Sequence, residues 1–341
     1  MLYFPTPFIL ISVIMRIVCD IFHLEKGGLM DPVSHGFIGA GVAALSNQPL
    51  AWDNPVYWAA VLGAMAPDLD IVMQARGHIA YLQHHRGISH SIPGLLGFSC
   101  LISLGLTALF PGTPFWSLFV WSFAGALSHG LFDLLNSYGA RLLWPLVKRR
   151  LTIDSIVVTD PVILGVFFLA LLHNRQHVQM AYLAFAVSGL YLLLRWLSKL
   201  HVVEMVRREL GDEKGKILVY PAMYRPFSWK FVVDRQDEFV MGSVPFSKDE
   251  LLVEDVFSKL EHPCIERAED SPLGEIFREF TPCYHVACER FDDTQIVTFS
   301  DLRYRSAKGF LYTGTAVLDN EGVLQEAVFE PYNARRRIRV A

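Results

Sequence analysis

The segment Phe115–Leu135, FWSLFVWSFAGALSHGLFDLL, determines how the rest of the chain is interpreted. It is apolar over a length sufficient for a bilayer-spanning helix, which takes about 20 residues. His129 and Asp133 lie four residues apart within it, so a helix places both side chains on one face, one turn apart. Ionisable side chains in such a segment are costly in a membrane and for that reason usually mark a functional site.

Five further apolar segments accompany this one, and together the six predict a multi-spanning helical protein. Val56–Met73, about Ile92–Phe110 and Val178–Trp196 are long enough to cross a bilayer, whereas His35–Leu50 and about Val157–Leu172 are short. Short segments rich in small residues still span a membrane when neighbouring helices pack around them. The expected fold is an all-α polytopic membrane bundle of about six helices; a soluble bundle with buried helices is the alternative.

The composition changes near residue 200, and this divides the chain into two predicted domains. Residues 31–200 form the transmembrane metal-site domain, and residues 201–341 have charges every few residues, as in a small soluble α+β domain. Helices are predicted at Asp249–Leu260 and Leu273–Phe280, and a hairpin turn at Asp319–Gly322. Strands of an antiparallel sheet are predicted at Lys216–Tyr220, Trp229–Val233, Glu238–Val244, Gln295–Phe299, Phe310–Val317 and Val323–Phe329.

Residues 1–30 form an apolar extension that Arg16 and Asp20 interrupt. Its positive charge follows the apolar stretch instead of preceding it, which is unlike a signal peptide. Two interpretations remain: an additional crossing, or a start-site artefact in which translation begins at Met30. We favour the artefact, because Met30 stands directly before the Asp31-Pro-Val-Ser-His run.

Lysine and arginine accumulate at alternate ends of the predicted helices. They are frequent at residues 76–86, 141–150 and 195–208, and absent from the loops that follow the first and third segments. Because cytoplasmic loops are enriched in Lys and Arg, this pattern places the C-terminal domain in the cytoplasm. The cysteines of that domain are then expected to be reduced thiols: Cys264, Cys283 and Cys288.

The overall composition excludes several classes of protein. Hydrophobic residues make up 52% of the chain and charged residues 19%, with a net charge of −4 at pH 7. The apolar content excludes a disordered chain. The slightly acidic balance argues against a nucleic-acid partner held through overall charge, so the expected partners are the membrane and its lipids.

Imidazoles and carboxylates recur at helix ends that this topology assigns to the cytoplasmic face of the membrane. Both groups are ligands of divalent ions such as Zn²⁺, Mn²⁺ or Mg²⁺. A single interfacial His or Asp is often only a helix cap, but the joint occurrence on one face predicts a metal site. The predicted metal ligands are His35, Asp68, Asp70, His85, His90, His129 and Asp133.

Three further residues are predicted to take part in catalysis. The planar guanidinium of Arg86 suits an anionic substrate or transition state beside a metal. Asp154 and Asp160 precede and open the fifth apolar segment and are candidates for a general base, with helix capping as the alternative. Ser89 orients a ligand in this interpretation, because no Ser-His-Asp order supports covalent catalysis.

Taken together, these motifs resemble the membrane-bound metal-dependent hydrolase family, the YdjM-like group of bacterial inner-membrane proteins. The resemblance covers roughly residues 31–200. It rests on an early His, a Pro-Asp-x-Asp, a His-Arg-Gly-x-x-His-Ser, a His-x-x-x-Asp with Asn-Ser-Tyr-Gly after it, and an Asp-Pro. These are His35, Pro67–Asp70, His85–Ser91, His129–Gly139 and Asp160-Pro161. The resemblance implies a multi-pass protein of the bacterial inner membrane with hydrolase activity.

The expected function is metal-dependent hydrolysis of an ester or phosphoester at the cytoplasmic membrane face, with a membrane lipid or lipid-linked compound as substrate. Two other functions stay open. Polar groups in membranes also mark ion paths, so the protein is alternatively an ion or metal transporter. In the third interpretation a bound ion only stabilises the fold.

Overall fold

The computed structural model describes residues 30–76, 85–173, 178–211, 215–223, 225–245, 250–291, 293–306, 309–331 and 337–340. The N-terminal extension predicted before Met30 lies outside these residues. The described chain divides into two compact units, a helical one that extends to Arg195 and a sheet-containing one that begins at Trp196.

In its described part, the first unit consists of helices, two 3₁₀ segments and connecting loops, of which residues 136–160 form a long one. Its α-helices are α1 (Met30–Ala44), α2 (Pro55–Met65), α3 (Ile92–Leu109), α4 (Phe115–Leu135), α5 (Pro161–His173) and α6 (Gln179–Leu210). The 3₁₀ segments are Ala66–Arg76, directly after α2, and Ile88–His90, directly before α3. α6 continues past Arg195 into the second unit.

Side-chain caps define where two of the central helices begin. Asn54 Oδ1 accepts a hydrogen bond of 3.1 Å from the backbone N–H of Val56 at the start of α2. Ser91 Oγ accepts one of 3.3 Å from Gly94 N–H at the start of α3. These caps satisfy amides that the first turn of a helix leaves without partners, which is costly in an apolar environment.

Four helical stretches are long and apolar enough to cross a membrane. They are Pro55–Met73, which is α2 with most of its 3₁₀ extension, together with α3, α4 and α6. α5 is a shorter apolar helix. Leu101, Leu109 and Trp116 on α3 and α4 are all more than 60% exposed, and hydrocarbon would cover such side chains in a bilayer.

α2 and α4 approach each other backbone to backbone. A Cβ atom on Gly63 would lie 2.1 Å from the carbonyl oxygen of Ser122, and one on Gly125 would lie 2.0 Å from that of Ala60. Only glycine fits at either position, as is usual where membrane helices touch closely. This contact sets the position of α4 relative to the end of α2.

The second unit contains two antiparallel sheets of four and five strands. The first has the order β1-β2-β3-β4, with strands Lys216–Ala222, Arg225–Asp234, Glu238–Val244 and Leu252–Ser258. The second has the order β11-β10-β9-β6-β5, with β5 Tyr284–Phe291, β6 Thr294–Asp301, β9 Tyr312–Asp319, β10 Leu324–Glu330 and β11 Ile338–Arg339. A short hairpin consists of β7 (Arg305–Ser306) and β8 (Gly309–Phe310), and two helices, α7 (Pro263–Glu269) and α8 (Pro272–Phe280), precede β5.

These elements confirm the predicted order of a helical membrane bundle followed by an α+β domain with antiparallel sheet. The helix predicted at Asp249–Leu260 is wrong, because Leu252–Ser258 is strand β4 and pairs antiparallel with β3. Its apolar spacing suits a helix, but the free edge of β3 supplies hydrogen-bond partners for an extended segment. Tertiary pairing therefore overrides the local pattern.

The first sheet has an apolar core on each of its faces. Val202 and Val206 near the end of α6 pack on one face, against Trp229 and Phe231. Side chains of the opposite face form a second cluster with residues that flank the second sheet: Tyr220, Val232, Phe239, Met241, Cys283 and Leu302. Because strand residues alternate between faces, both sides of this sheet are buried in the domain.

The expectation of three reduced cysteines was wrong, because Cys264 and Cys288 form a disulfide. Their 24-residue separation hides the pairing, which arises because α7 packs over β5. Cys283 is a buried free thiol. Burial, together with the charges of Asp234 and Asp301, raises the pKa of Cys283 to about 12.

A buried ion pair joins α8 to the second sheet. Asp301 accepts hydrogen bonds from the backbone N–H, Nε and Nη2 of Arg303 and from Thr281 Oγ1. Arg303 Nη2 also donates to the carbonyl oxygen of Phe280, at the end of α8. The carboxylate is fully buried, so its charge depends on this network.

We expect Asp301→Ala to lower the free energy of unfolding by about 3–5 kcal/mol, because Arg303 would remain buried without its counter-charge. Asp255→Ala is the matched control, since its pair with Arg305 is partly exposed and worth less than about 1 kcal/mol. Denaturation of both purified variants, followed by tryptophan fluorescence, measures the difference. Equal losses would contradict a special role for the buried pair.

Candidate metal centre

Four segments of the helical unit bring His and Asp side chains to one point. α1 contributes His35, and the 3₁₀ segment after α2 contributes Asp68 and Asp70. His90 comes from the 3₁₀ turn before α3. α4 contributes His129 and Asp133, four residues apart on one helix face, as the sequence predicts.

Four of these side chains converge most closely. His90 Nε2 lies 3.2 Å from Asp133 Oδ2 and 3.4 Å from Asp68 Oδ1. His129 Nε2 lies 3.4 Å from Asp133 Oδ2 and 3.6 Å from Asp68 Oδ1. Two imidazole nitrogens and two carboxylate oxygens therefore alternate around a common centre, which we call the inner cluster.

Hydrogen bonds on the far side of both imidazoles direct the Nε2 lone pairs towards this centre. His129 Nδ1 donates to the carbonyl oxygen of Ala64 at 2.7 Å. His90 Nδ1 donates to Ser89 Oγ at 2.9 Å, and Ser89 Oγ donates to Asp70 Oδ2 at 2.8 Å. With Nδ1 assigned as the donor in each ring, Nε2 is the nitrogen that carries no proton when the imidazole is neutral. This is the tautomer in which a histidine binds a metal.

The inner cluster contains buried polar atoms that need a partner. Among the residues that the structure describes, no hydrogen bond reaches either Asp68 carboxylate oxygen, His90 Nε2, His129 Nε2 or Asp133 Oδ2. Leaving buried polar groups in this state costs about 1–3 kcal/mol each, and more for charged ones. Because these atoms lie together, they could hold a cation between them.

The charges around the inner cluster also favour a cation. Asp68, Asp70 and Asp133 bring three carboxylates to this region, and the Arg86 guanidinium contacts the last of them, with Nη2 3.1 Å from Asp133 Oδ1. Burial opposes protonation of His90, but Asp133 and Asp68 outweigh burial and raise its pKa to about 9. The site therefore attracts positive charge, as a proton or as a metal ion.

The separations between the imidazole nitrogens and the carboxylate oxygens suit ligands of one ion. Neighbouring ligands of a tetrahedral ion at about 2.0–2.2 Å lie about 3.3–3.6 Å apart, and those of an octahedral Mg²⁺ about 3.0 Å apart. The four nitrogen–oxygen separations within the inner cluster are 3.2–3.6 Å. The donor types and these separations are compatible with a divalent ion, and they do not fix its coordination geometry.

His35 lies at the edge of the inner cluster. Its ring stacks on that of His129 with 3.7 Å between centroids, and its Nε2 is 3.7 Å from Asp133 Oδ1. Ligand atoms of His35, Asp68 and His129 all lie within 4.8 Å of one another. His35 is therefore a candidate ligand for the same ion or for a neighbouring one.

Asp70 and His85 form an outer layer behind His90. His85 Nδ1 donates to Asp70 Oδ1 at 2.8 Å, and the Arg86 backbone N–H donates to Asp70 Oδ2 at 3.2 Å. Asp70 Oδ2 is 3.5 Å from His90 Nδ1. The carboxylate of Asp70 thus has partners of its own and orients His90, which is how outer carboxylates commonly tune metal-binding histidines.

Arg86 is buried beside the inner cluster. Its Nη2 lies 3.1 Å from Asp133 Oδ1, and its Nη1 donates to Asn136 Oδ1 at 2.8 Å. Its backbone φ is +59°, a region that a side chain other than glycine seldom adopts and that is concentrated at functional sites. These contacts give Arg86 a positioning role towards Asp133, and its predicted binding of an anion stays a prediction.

Two contributors to this site were absent from the predicted set. Asn136 holds Arg86 and also donates from Nδ2 to Asp133 Oδ1 at 3.1 Å. Its place directly after an apolar segment was the available signal. The Ala64 carbonyl that fixes the His129 tautomer had no signal, because it depends on the contact between α2 and α4.

Asp154 and Asp160 do not belong to the groups of converging donor atoms among the described residues. Asp160 Oδ1 caps α5 by accepting from the backbone N–H groups of Val162 and Ile163, and its Oδ2 accepts from Tyr191. Asp154 accepts from Thr152 Oγ1 at 3.0 Å and has a φ of +51°. The capping alternative thus describes Asp160, and a role in proton transfer stays a prediction for both.

We expect the purified protein to contain a tightly bound divalent metal and His129→Ala to lose it, because the variant removes one inner ligand and exposes Asp68 and Asp133 to each other. His173→Ala is the matched control, since His173 is an exposed histidine whose hydrogen bond within the described part of the chain goes to Leu169 of its own helix. Elemental analysis of both variants by mass spectrometry measures the metal per chain. Full metal content in His129→Ala would contradict the assignment.

We expect Ser89→Ala to weaken metal binding about 10–100-fold, because it removes the link between His90 and Asp70 but leaves every inner ligand in place. Ser128→Ala is the control, since Ser128 on α4 bonds only the carbonyl oxygen of Gly125. Competition with a chelator of known affinity measures the dissociation constants. The same affinity in both variants would show that Ser89 does not orient His90.

The chain matches the sequence patterns of two families. Residues 30–202 match YdjM inner membrane protein, and residues 263–336 match the YfhP C-terminal alpha/beta plait domain. The chain is also 26% identical over 291 residues to "Uncharacterized protein YfhP" of Bacillus subtilis (strain 168), over 81% of this chain and 88% of that protein. No solved structure matches it. Because the first match covers half of the chain and contains every residue of the metal centre, the chain belongs to the YdjM inner membrane protein family.

Proposed function

We propose that the protein is a membrane-embedded metal-dependent hydrolase that cleaves an ester or phosphoester at the cytoplasmic face of the membrane. The observation that carries this proposal is the inner cluster, in which each of two imidazole nitrogens lies 3.2–3.6 Å from two carboxylate oxygens and none of the four buried atoms has a hydrogen-bond partner among the described residues. Such a set suits an ion that acts on a substrate at the end of the membrane helices.

The proposed ion is Zn²⁺ or another ion that accepts tetrahedral nitrogen and oxygen ligands. When bound, it would supply Lewis acidity towards an ester or phosphoryl oxygen and would increase the acidity of water. Asp68 and Asp133 would hold the ion through their carboxylate oxygens, and His90 and His129 through their imidazole nitrogens. His35 lies close enough to act as a further ligand or to contact the substrate.

The remaining residues orient these ligands or handle a proton. Arg86 holds Asp133 in place, and the chain from His90 through Ser89 to Asp70 provides a path along which a proton moves between hydrogen-bonded groups. Asp154 or Asp160 serves as the general base in this proposal, although both have local partners in the structure.

A small cleft lies next to His35. Its walls come from α1, α4, the segment before α5 and α5 itself. Its lining combines three polar residues, Ser34, His35 and Asp160, with apolar ones: Ile38, Phe132, Ile156, Val158, Ile163 and Leu164. The free space of about 20 Å³ holds one or two water molecules and no hydrocarbon chain. The lipid or lipid-linked substrate is therefore proposed from the place of the site at the ends of membrane helices, and not from this cleft.

A non-catalytic ion is the second candidate, and the burial of the site favours it. His90, His129 and Asp133 have no exposed surface, as in a closed structural site. In that case a chelator unfolds the protein and no substrate is turned over. A transporter is less well supported, because the donors lie near helix ends, whereas transport sites tend to lie near the middle of the membrane.

We expect the purified protein to hydrolyse a lipid phosphoester or an activated phosphodiester, and Asp68→Asn to abolish that activity together with metal binding. Asp53→Asn, an exposed carboxylate between α1 and α2, is the control and should behave as the unmodified chain. Asp154→Asn and Asp160→Asn test the general base: the correct one should lose at least about 100-fold in kcat while its metal content stays unchanged. Full activity in Asp68→Asn would refute the proposal.

A further inference from the structure

The segment between α4 and α5 contains a concentrated positive charge that the metal centre does not use. Residues 141–150, RLLWPLVKRR, include four cationic side chains and no acidic one; we call this segment the basic arm. Lys148 and Arg149 are exposed, and neither forms an ion pair with any residue in the described part of the chain. An exposed cluster of this kind attracts an anion.

The basic arm also exposes large apolar side chains next to these charges. Leu146 is 90% exposed and Leu143 is 41% exposed. Isolated exposed leucines are ordinary on a protein surface, but leucines beside lysine and arginine at the end of a membrane helix are typical of segments that lie at the lipid headgroups.

Backbone contacts attach the basic arm to the segment that holds the metal ligands. Arg150 Nη2 donates to the carbonyl oxygen of His85 at 3.1 Å, and the backbone N–H of Arg141 donates to that of Arg86 at 3.1 Å. An anion held by the arm would therefore lie next to residues 85–90.

The side chains of the basic arm point to the chemistry of that anion. Lys148 and Arg149 offer exposed ammonium and guanidinium donors. Phosphate oxygens are acceptors that both groups bind well, and arginine binds them through two parallel N–H groups.

We propose that the basic arm binds the phosphate of an anionic phospholipid, with Leu146 in the hydrocarbon and Lys148 and Arg149 at the headgroup. The combination of exposed leucines and unpaired cations selects a lipid over a soluble anion, which would gain nothing from Leu146. Lipid binding by the basic arm does not depend on the proposed function. A further step, in which the bound headgroup is presented to the metal centre for cleavage, rests on the proposed function.

Lipid binding to the full chain in detergent tests this proposal. Phosphatidylglycerol and phosphatidylcholine are titrated separately, and the bound lipid is counted by native mass spectrometry. We expect preferential binding of phosphatidylglycerol, and a loss of about tenfold or more in its affinity in Lys148→Glu/Arg149→Glu. Leu146→Asp should weaken binding of phosphatidylglycerol, but the variant should still prefer phosphatidylglycerol to phosphatidylcholine.

The matched control is Arg278→Glu/Arg290→Glu, which changes the net charge equally at exposed positions of the second unit and should bind as the unmodified chain does. Metal content must be unchanged in all variants, which shows that the fold is retained. Equal binding of the two lipids, an equal loss in the control, or displacement of phosphatidylglycerol by millimolar inorganic phosphate with no effect of Leu146→Asp would overturn the proposal.

Repeating the titration after chelation separates this proposal from the proposed function. We expect the preference for phosphatidylglycerol to survive removal of the metal, since the arm and the inner cluster use different residues. A preserved preference without any hydrolytic activity would leave the lipid site in place and reject the hydrolase. Loss of the preference on chelation would overturn the independent lipid site.

Discussion

The backbone contact between α2 and α4 governs the geometry of the metal centre. Gly63 and Gly125 allow the two helices to touch. Next to this contact, the carbonyl oxygen of Ala64 lies 2.7 Å from Nδ1 of His129, which is one turn after Gly125 on α4. This hydrogen bond fixes which nitrogen of His129 faces the inner cluster. A larger residue in the contact would move α4 and, with it, both His129 and Asp133.

The charge of the site explains why so many partners surround it. Asp68, Asp70 and Asp133 are carboxylates in a bundle whose outer surface suits lipid, where an uncompensated charge is very costly. Arg86, His85 and Ser89 stabilise the outer parts of this set, whereas the inner donor atoms and Asp68 Oδ2 accept no hydrogen bond from the described residues. The carboxylate charge that lacks a hydrogen-bonded partner is thus concentrated at the inner cluster.

The second unit has its own sources of stability. Its first sheet is buried on both faces, and a buried Asp301–Arg303 pair and a Cys264–Cys288 disulfide tie α7 and α8 to the second sheet. The alignment with the Bacillus subtilis relative covers 81% of this chain and therefore includes residues of both units.

The sequence by itself determined the class of fold and most of the residues at the centre. Spanning helices need long apolar segments, and such segments tolerate few ionisable residues. His129, Asp133 and the His and Asp residues at other helix ends are therefore recognisable from the sequence alone. The hairpin turn at Asp319–Gly322 and helix α8 were predictable for a similar reason, because local turn and helix signals act within a few residues.

Only the tertiary structure decided which of those residues are inner donors, which orient them and which lie apart. Asp68 and Asp70 are two positions apart and chemically equal, yet one faces the centre and the other bonds His85 and Ser89. Strand β4 and the Cys264–Cys288 bond likewise depend on neighbours distant in sequence. Contacts between remote segments follow from packing, and a pattern of residue types along the chain does not encode the distances that packing sets.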